Sequence, residues 1–189
     1  MIPTRDECLR LMGQCGMLNH IMEHSFEVTK VALYLAVELN RRGQQLDLGL
    51  IEAASLLHDL TKSECLKTKE DHARTGCQLL KQMGYVRVGE IVAEHVVLSG
   101  KSDPSFVTEE EVVNYADKRV QHDRIVSLEE RFNDLMDRYG KSQKASRQME
   151  QLKKATFEIE HKIFCILGVD PNDLERLQPE MCCDERASF

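Results

Sequence analysis

Apolar residues recur at steps of three and four along most of this chain, and that spacing constrains the fold more than any other feature. Between His20 and Arg42 one face of a helix would be wholly apolar, formed by Ile21, Val28, Val31, Ala32, Leu35, Ala36 and Leu39. Such a stripe is typical of a helix packed on a core. No sustained alternation with a period of two, which would indicate a β-strand, occurs in the sequence. The pattern therefore predicts an all-α fold.

Capping residues divide the rest of the chain into further helices. Thr4 with Glu7 and Thr108 with Glu111 have the spacing of a capping box. Asp47 is a suitable N-cap for a helix that runs through Leu57 and His58. The remaining pattern predicts helices at 72–83, 86–98, 128–139 and 143–167, a short polar stretch at 61–71 and a loop at 99–105.

Four parts follow from this division of the 189 residues. They are an N-terminal helix at 1–19, a main helical domain at 20–125, C-terminal helices at 126–177 and a frayed tail at 178–189. The last long helix carries an apolar seam that could pack on the core or on a partner subunit, so a homodimer through this helix is one expectation.

Composition limits the partners of the chain. A net charge of −7 argues against an extended nucleic-acid surface and against an anionic membrane. No apolar run reaches the roughly 20 residues of a membrane span, and the start of the chain lacks the layout of a signal peptide. We therefore expect a cytoplasmic protein. Its seven scattered cysteines are expected to be reduced thiols, with no role predicted for the adjacent Cys182 and Cys183.

Ionisable residues at predicted helix ends or beside apolar stripes form a candidate metal site. They are His24, His58, Asp59, His72, His95 and Asp117. A mixed nitrogen and oxygen set suits iron, manganese, cobalt, nickel or zinc better than calcium. No cysteine accompanies them, which disfavours a structural zinc site. Each histidine taken alone also fits a hydrogen-bonded core residue, but a helical bundle can direct all six side chains into one core.

The order of these residues resembles the HD superfamily of metal-dependent phosphohydrolases. A histidine (His24), a His-Asp pair within Leu57-His58-Asp59-Leu60-Thr61-Lys62 and a distant aspartate (Asp117) follow the superfamily's pattern. The pair is similar to the "HDIGK" form, with Leu60-Thr61 in place of Ile-Gly. The stretch 71–76 resembles the "HxxxG" element, and His95 resembles the next histidine of members with a second metal.

The resemblance implies an all-α HD fold, a divalent transition metal bound as two ions, and hydrolysis of a small phosphorylated molecule. His24, His58, Asp59 and Asp117 would bind the first ion. His72 and His95 would bind the second, with Asp59 bridging, and magnesium is a further candidate metal. This six-ligand arrangement is similar to the diadenosine-tetraphosphate hydrolase and cyclic-dinucleotide phosphodiesterase branches. The "GYP" motif of the latter is absent, which favours a nucleotide or another small phosphoester.

In the mechanism that the resemblance implies, a metal-activated water attacks phosphorus. Asp59 would position that water and accept its proton. Lys62 would assist catalysis, and Lys62, Lys118 and Arg119 would bind the substrate as cations, although each also fits a solvated surface charge. Two alternatives stay open: a catalytically weak module that binds a nucleotide or metal and regulates a partner, and a di-iron oxygenase on the same scaffold.

Overall fold

The computed structural model describes residues 1–100 and 103–177. In that part the helices are α1 (Arg5–Gln14), α2 (Asn19–Arg41), α3 (Leu48–Leu57), α4 (Lys62–Thr68), α5 (His72–Gln82), α6 (Val86–Glu94), α7 (Glu109–Lys118), α8 (Leu128–Tyr139) and α9 (Gln143–Leu167), with a 3-10 helix at Pro171–Leu177. An antiparallel hairpin, β1 (Val120–Gln121) and β2 (Arg124–Ile125), lies between α7 and α8. The predicted all-α fold is confirmed. The tail at 178–189, with Cys182 and Cys183, lies outside the described residues.

Hydrogen bonds confirm three of the predicted helix starts. Thr4 Oγ1 accepts from the Glu7 amide at 3.3 Å, and the Glu7 carboxylate accepts from the Thr4 amide at 2.7 Å. Thr108 and Glu111 form the same reciprocal pair at 3.3 and 3.0 Å. Asp47 Oδ1 accepts from the amide three residues on at 3.0 Å. These bonds satisfy amides that the first helical turn leaves without partners, so they fix where α1, α7 and α3 begin.

The sequence predicted only a polar stretch, and no helix, directly after the His58-Asp59 pair. The structure has a helix there, because α4 occupies most of that stretch. This short helix buries Ser63 and Cys65. Ser63 Oγ accepts a hydrogen bond of 3.0 Å from the amide of Leu18, which is distant in the chain. Packing against another segment therefore stabilises a helix that its own sequence does not signal.

Helix α6 ends at Glu94, whereas the apolar pattern predicted a helix to Leu98. The reason lies on α7. Asn114 Nδ2 donates to the carbonyl oxygens of Glu94 at 2.9 Å and His95 at 3.0 Å. Lys118 Nζ donates to the same His95 carbonyl at 2.8 Å. These side chains take the carbonyls that another helical turn would have used, so His95 lies at the helix end.

The hairpin was not predicted, because two strands of two residues each are too short to show a period of two. Its register pairs Val120 with Ile125 and Gln121 with Arg124, which leaves a two-residue turn. The first turn residue, His122, has a φ of 58°, in the left-handed region that glycine usually occupies.

Helix α2 runs through the middle of the fold. Its apolar face, including Val28, Leu35 and Leu39, is fully buried. It packs mainly against α3 and α7, and α9 packs across α2, α7 and α8. Ile163 and Leu167 of α9 join the same core. Within the described residues, the seam of the last helix therefore contributes to the core of its own chain.

None of the described helices is both long and apolar enough to cross a membrane.

The five cysteines in the described part are free. Cys8 and Cys65 are buried, whereas Cys165 is exposed.

Gly89 sets the distance between α5 and α6, the helices that carry His72 and His95. A Cβ atom at Gly89 would lie 2.9 Å from the Cys77 carbonyl oxygen on α5. The α5 backbone would have to move, so we expect Gly89→Ala to lower the free energy of unfolding by about 1–3 kcal/mol in urea denaturation.

Gly13→Ala in α1 is the matched control. A Cβ there meets nothing within 4 Å, so the variant should gain roughly 0.5–1 kcal/mol from helix propensity. Equal stability of the Gly89→Ala variant and the unmodified protein would contradict the close packing of α5 on α6.

Candidate metal centre

Five helices bring the six predicted ligands to one place in the core, and most of the six lie at helix ends. A helix end lets neighbouring side chains converge, which the middle of a helix does not. His24 lies in the first half of α2, His58 and Asp59 directly follow α3, His72 begins α5, His95 follows α6 and Asp117 is next to last in α7.

The Asp59 carboxylate lies at the centre of the cluster. Its Oδ2 is 3.3 Å from His58 Nε2, and its Oδ1 is 3.3 Å from His72 Nε2 and 3.6 Å from His95 Nε2. The donor atoms of Asp59, His72 and His95 lie within 4.8 Å of one another. The same holds for those of His24, His58 and Asp59. Asp59 therefore belongs to two groups of three potential ligands.

Asp117 contacts two members of the group formed by His24, His58 and Asp59. Its Oδ1 is 3.0 Å from His24 Nε2 and 3.5 Å from His58 Nε2. Both aspartates and three of the histidines are buried, whereas the His72 side chain is 26% exposed. The open side of the cluster is therefore at His72.

Main-chain carbonyl groups orient three of the four histidines. The acceptors for their Nδ1 atoms are His122 O at 2.9 Å for His24, Ser55 O at 2.7 Å for His58 and Val92 O at 2.6 Å for His95. Because a carbonyl accepts only, each Nδ1 carries the proton. When the ring is neutral, each Nε2 then carries the lone pair, and it faces the aspartates. This is the arrangement that a histidine needs in order to bind a metal.

Burial and charge oppose one another throughout the cluster. Burial acts to raise the pKa of the Asp59 carboxyl, but His58 and Lys62 hold this pKa well below its usual range. Burial acts similarly on Asp117, whose pKa is held low chiefly by Lys118. Burial disfavours charge on His58, yet the two carboxylates raise its pKa to about 10. The extra proton of His58 is then on Nε2, between the carboxylates.

The donor set fits a divalent cation. His58 Nε2 and Asp59 Oδ1 are buried and have no hydrogen-bond partner within the described part of the chain. Such orphaned atoms are costly unless another group satisfies them. A cation could satisfy both atoms and take the place of the His58 proton. Nitrogen and carboxylate donors in this combination suit divalent transition metals.

Two of the three predicted substrate cations lie beside the cluster. Lys62 Nζ is 2.6 Å from Asp59 Oδ2, and its side chain is 37% exposed. Lys118 Nζ is 2.8 Å from Asp117 Oδ2, but its side chain is only 4% exposed. Lys62 can therefore meet an incoming ligand, whereas Lys118 holds Asp117 and the His95 carbonyl in place.

The structure places Arg119 in a different role from the predicted one. Its side chain is 1% exposed, and its Nε donates to the Val126 carbonyl at 2.7 Å. Its Nη1 donates to Tyr115 Oη at 2.7 Å and lies 3.3 Å from Glu160 Oε2. The guanidinium thus connects α7 to β2 and α9 inside the core, and the prediction that it binds substrate is corrected.

We expect Lys118→Met to weaken metal binding by about 10- to 100-fold, the usual cost of losing a group that orients a ligand. The variant removes the hydrogen bonds to Asp117 and to the His95 carbonyl. A titration with Mn²⁺ measures the change. Lys144→Met, at an exposed position of α9, is the control and should bind the metal as the unmodified protein does.

Sequence reasoning missed the groups that hold the ligands. Asn114 ends α6 and so fixes His95, and the His122 carbonyl orients His24. Asn114 lies one turn before Asp117 on α7, a spacing that places both on one helix face. No sequence signal could have indicated the carbonyl, because every residue has one.

Comparison with known families agrees with this geometry. The model of the HD domain family matches residues 21–141. This is more than half of the chain, and the chain belongs to the HD domain family. The resemblance to the HD superfamily is thereby confirmed at the level of the family. The family and the histidine and aspartate groups together support the binding of a divalent metal.

Three relatives illustrate the range of similar proteins. A tRNA (cytidine(56)-2'-O)-methyltransferase of Picrophilus torridus is 32% identical over 73% of this chain and 41% of its own length. The protein of the same name from Thermoplasma volcanium is 27% identical over 75% of this chain and 42% of its own length. An uncharacterized protein of Methanocaldococcus jannaschii is 23% identical over 65% of this chain and 79% of its own length. The match thus spans about two fifths of each methyltransferase. No solved structure matches the chain.

Proposed function

We propose that this chain is a metal-dependent phosphohydrolase that cleaves a phosphoester or phosphoanhydride of a nucleotide or another small phosphorylated molecule. The observation that carries the proposal is the position of Asp59 in two groups of potential ligands. A carboxylate shared in this way suits a pair of ions, and paired ions are common in enzymes that hydrolyse phosphoesters.

The proposed first ion would be held by His24, His58, Asp59 and Asp117, and the second by Asp59, His72 and His95. Iron, manganese, cobalt, nickel and zinc fit these donors, and magnesium is a further candidate. Bound there, such ions supply Lewis acidity that acidifies a water molecule and neutralises charge on the phosphoryl oxygens.

The chain's own groups would position the attacking water and the substrate. Asp59 Oδ1 has no hydrogen-bond partner within the described residues, so it could accept a hydrogen bond from that water. Because the pKa of Asp59 is held well below its usual range, the carboxylate would orient the water and remain ionised. Asp59 Oδ2 is held by Lys62 Nζ. The exposed part of Lys62 can approach a phosphoryl oxygen of the substrate. The carbonyl-held histidines keep their Nε2 atoms directed at the reacting centre and need no rearrangement.

Methyl transfer is not proposed for this chain, although two relatives are named for it. The match spans about two fifths of those proteins. Their names refer to whole proteins, of which more than half has no counterpart in the match. A buried cluster of histidines and aspartates is also better suited to holding metal than to holding a methyl donor.

The test combines metal analysis of freshly purified protein with a panel of phosphomonoesters, phosphodiesters and nucleotides. We expect bound divalent metal and turnover of at least one class, both lost on dialysis against a chelator and restored by metal. Protein that keeps its metal but hydrolyses no member of the panel would favour the alternative of a regulatory module that binds a nucleotide or metal. Oxygen consumption by an iron-loaded sample would instead favour the oxygenase.

A further inference from the structure

Thr61 lies where the similar "HDIGK" motif has a glycine, and it has no part in the mechanism above. Its φ of −101° belongs to a region that any residue adopts, so the turn after Asp59 does not require glycine. Thr61 is also the N-cap of α4, where a threonine hydroxyl usually accepts a hydrogen bond from an amide of the first turn. No such bond forms among the described residues of α4. The buried hydroxyl is therefore available for a contact outside its own helix.

The Thr61 hydroxyl contacts the segment that carries His72. Thr61 Oγ1 donates to the main-chain carbonyl of His72, eleven residues further along the chain, at 2.9 Å. The lack of a side chain at Gly76 lets the two segments approach, since a Cβ atom there would lie 3.5 Å from Thr61 Oγ1 and 3.2 Å from Val92 Cγ1. The start of α5 is thus fixed to the start of α4 by the Thr61 side chain.

The same contact connects the main chains of Asp59 and His72. Thr61 lies in the turn that follows Asp59, and that turn is closed by a hydrogen bond of 2.9 Å from the Lys62 amide to the Asp59 carbonyl. Through Thr61 the turn is bonded to the His72 carbonyl, while the His72 Nε2 atom lies 3.3 Å from Asp59 Oδ1. The Thr61 bond therefore helps to set the separation of two groups that would bind the second ion.

His72 depends on this support more than the other histidines of the cluster do. His24, His58 and His95 are each oriented by a main-chain carbonyl at Nδ1. Within the described part of the chain, the hydrogen bond of the His72 ring is instead at Nε2, which lies 3.1 Å from His95 Nε2. A bound ion would take this Nε2 atom, so the contact cannot hold the ring once the ion is present. The ring is also 26% exposed, so packing restrains it less than the buried histidines.

We propose that Thr61 is a positioning residue for the second ion, that it acts through the main chain of His72, and that this ion is the more weakly held of the two. The inference rests on the proposed function, in which Asp59, His72 and His95 bind that ion. The first ion would have four buried ligands, whereas the second shares Asp59 and depends on a partly exposed histidine. Occupancy of the second site at limiting metal would then depend on the Thr61 hydroxyl.

Calorimetric titration of the metal-free protein with Mn²⁺ tests the inference without any substrate. The unmodified protein should bind two ions in two steps, and His72→Ala should lose the weaker step. Thr61→Val replaces the hydroxyl by a methyl group, which needs about 3.3 Å or more from a carbonyl oxygen and so displaces His72. We expect this variant to weaken the same step about 10- to 100-fold and to leave the stronger step unchanged. Thr61→Ser keeps the hydroxyl and should bind both ions as the unmodified protein does.

Thr75→Val is the matched control, because it removes the same kind of bond from the same end of α5. Thr75 Oγ1 donates to the Asp71 carbonyl at 2.8 Å, a contact within the start of α5 itself, so this variant should bind both ions normally. In the His72→Ala background, Thr61→Val should have no further effect on metal affinity, because Thr61 acts through His72. Circular dichroism of the metal-free variants confirms folding, and Thr61→Ala replaces Thr61→Val if the latter does not fold.

Unchanged affinity for the weaker ion in folded Thr61→Val overturns the inference, as does an equal loss at both steps or in Thr75→Val. Loss of the stronger step in His72→Ala overturns it as well. Binding of a single ion by the unmodified protein has the same consequence, although hydrolysis by that one-ion protein would leave the proposed function standing. Two ions with a Thr61-dependent weaker step, but no ester hydrolysis, would instead count against the proposed function alone.

Discussion

Asp59→Ala is expected to abolish metal binding and hydrolysis while leaving the helical content largely unchanged. The carboxylate belongs to both groups of potential ligands, so its loss affects each ion that the cluster could hold. Hydrolysis should fall by at least about a thousandfold, because several kcal/mol of transition-state stabilisation depend on the metal. Elemental analysis, circular dichroism and initial rates on the best substrate of the panel measure the three effects.

A thermal measurement makes this prediction independent of any substrate. Added metal should raise the Tm of the unmodified protein, because it binds the folded state, and should leave the Tm of Asp59→Ala unchanged. Asp137→Ala, at an exposed position of α8, is the control and should respond to metal normally. If Asp59→Ala retained hydrolysis, both the metal assignment and the proposed function would be wrong.

Arg119→Met is expected to be the most destabilising of the substitutions considered, lowering the free energy of unfolding by about 3–5 kcal/mol. The variant keeps an unbranched apolar side chain but leaves the Glu160 carboxylate without this buried partner. It also removes the hydrogen bonds to the Val126 carbonyl and to Tyr115 Oη. Urea denaturation followed by circular dichroism measures the loss.

This prediction distinguishes a structural role from a substrate role for Arg119. A variant at the exposed Arg124 of β2, Arg124→Met, is the control and should change stability by less than about 0.5 kcal/mol. Activity per folded molecule should be nearly normal in Arg119→Met at low temperature. A variant of normal stability with a raised KM would restore the original assignment of Arg119 to substrate binding.

The helices with strong apolar stripes could be predicted from the sequence, and the elements held by distant contacts could not. Helix α2 is determined by its own periodicity, whereas α4 depends on partners such as Leu18 that a local pattern does not reveal. The end of α6 was misplaced for a similar reason. Val97 and Leu98 continue the apolar pattern, but Asn114 of α7 takes the carbonyls that a longer helix would need.

The ligands were predictable because their order in the chain matches that of the family, and the structure brings all six together. The surroundings of the ligands were less predictable. Arg119 and Lys118 are adjacent cations of the same chemical type in the sequence. Since successive residues of a helix point about 100° apart, one meets Asp117 and the other meets Glu160. Only the packing of α7 decides which of the two cations contacts the metal ligand Asp117 and which contacts Glu160.

The main-chain carbonyls that hold His24, His58 and His95 make the ligand geometry tolerant of mutation. A substitution of Ser55, Val92 or His122 keeps the accepting oxygen in place when the new side chain fits the buried space at Ser55 and Val92 or the positive φ of His122. The orientation of these ligands can therefore be inherited unchanged while the residues around them diverge. Only a change that moves the backbone, such as a proline or an insertion near the hairpin turn, would release a histidine from its position.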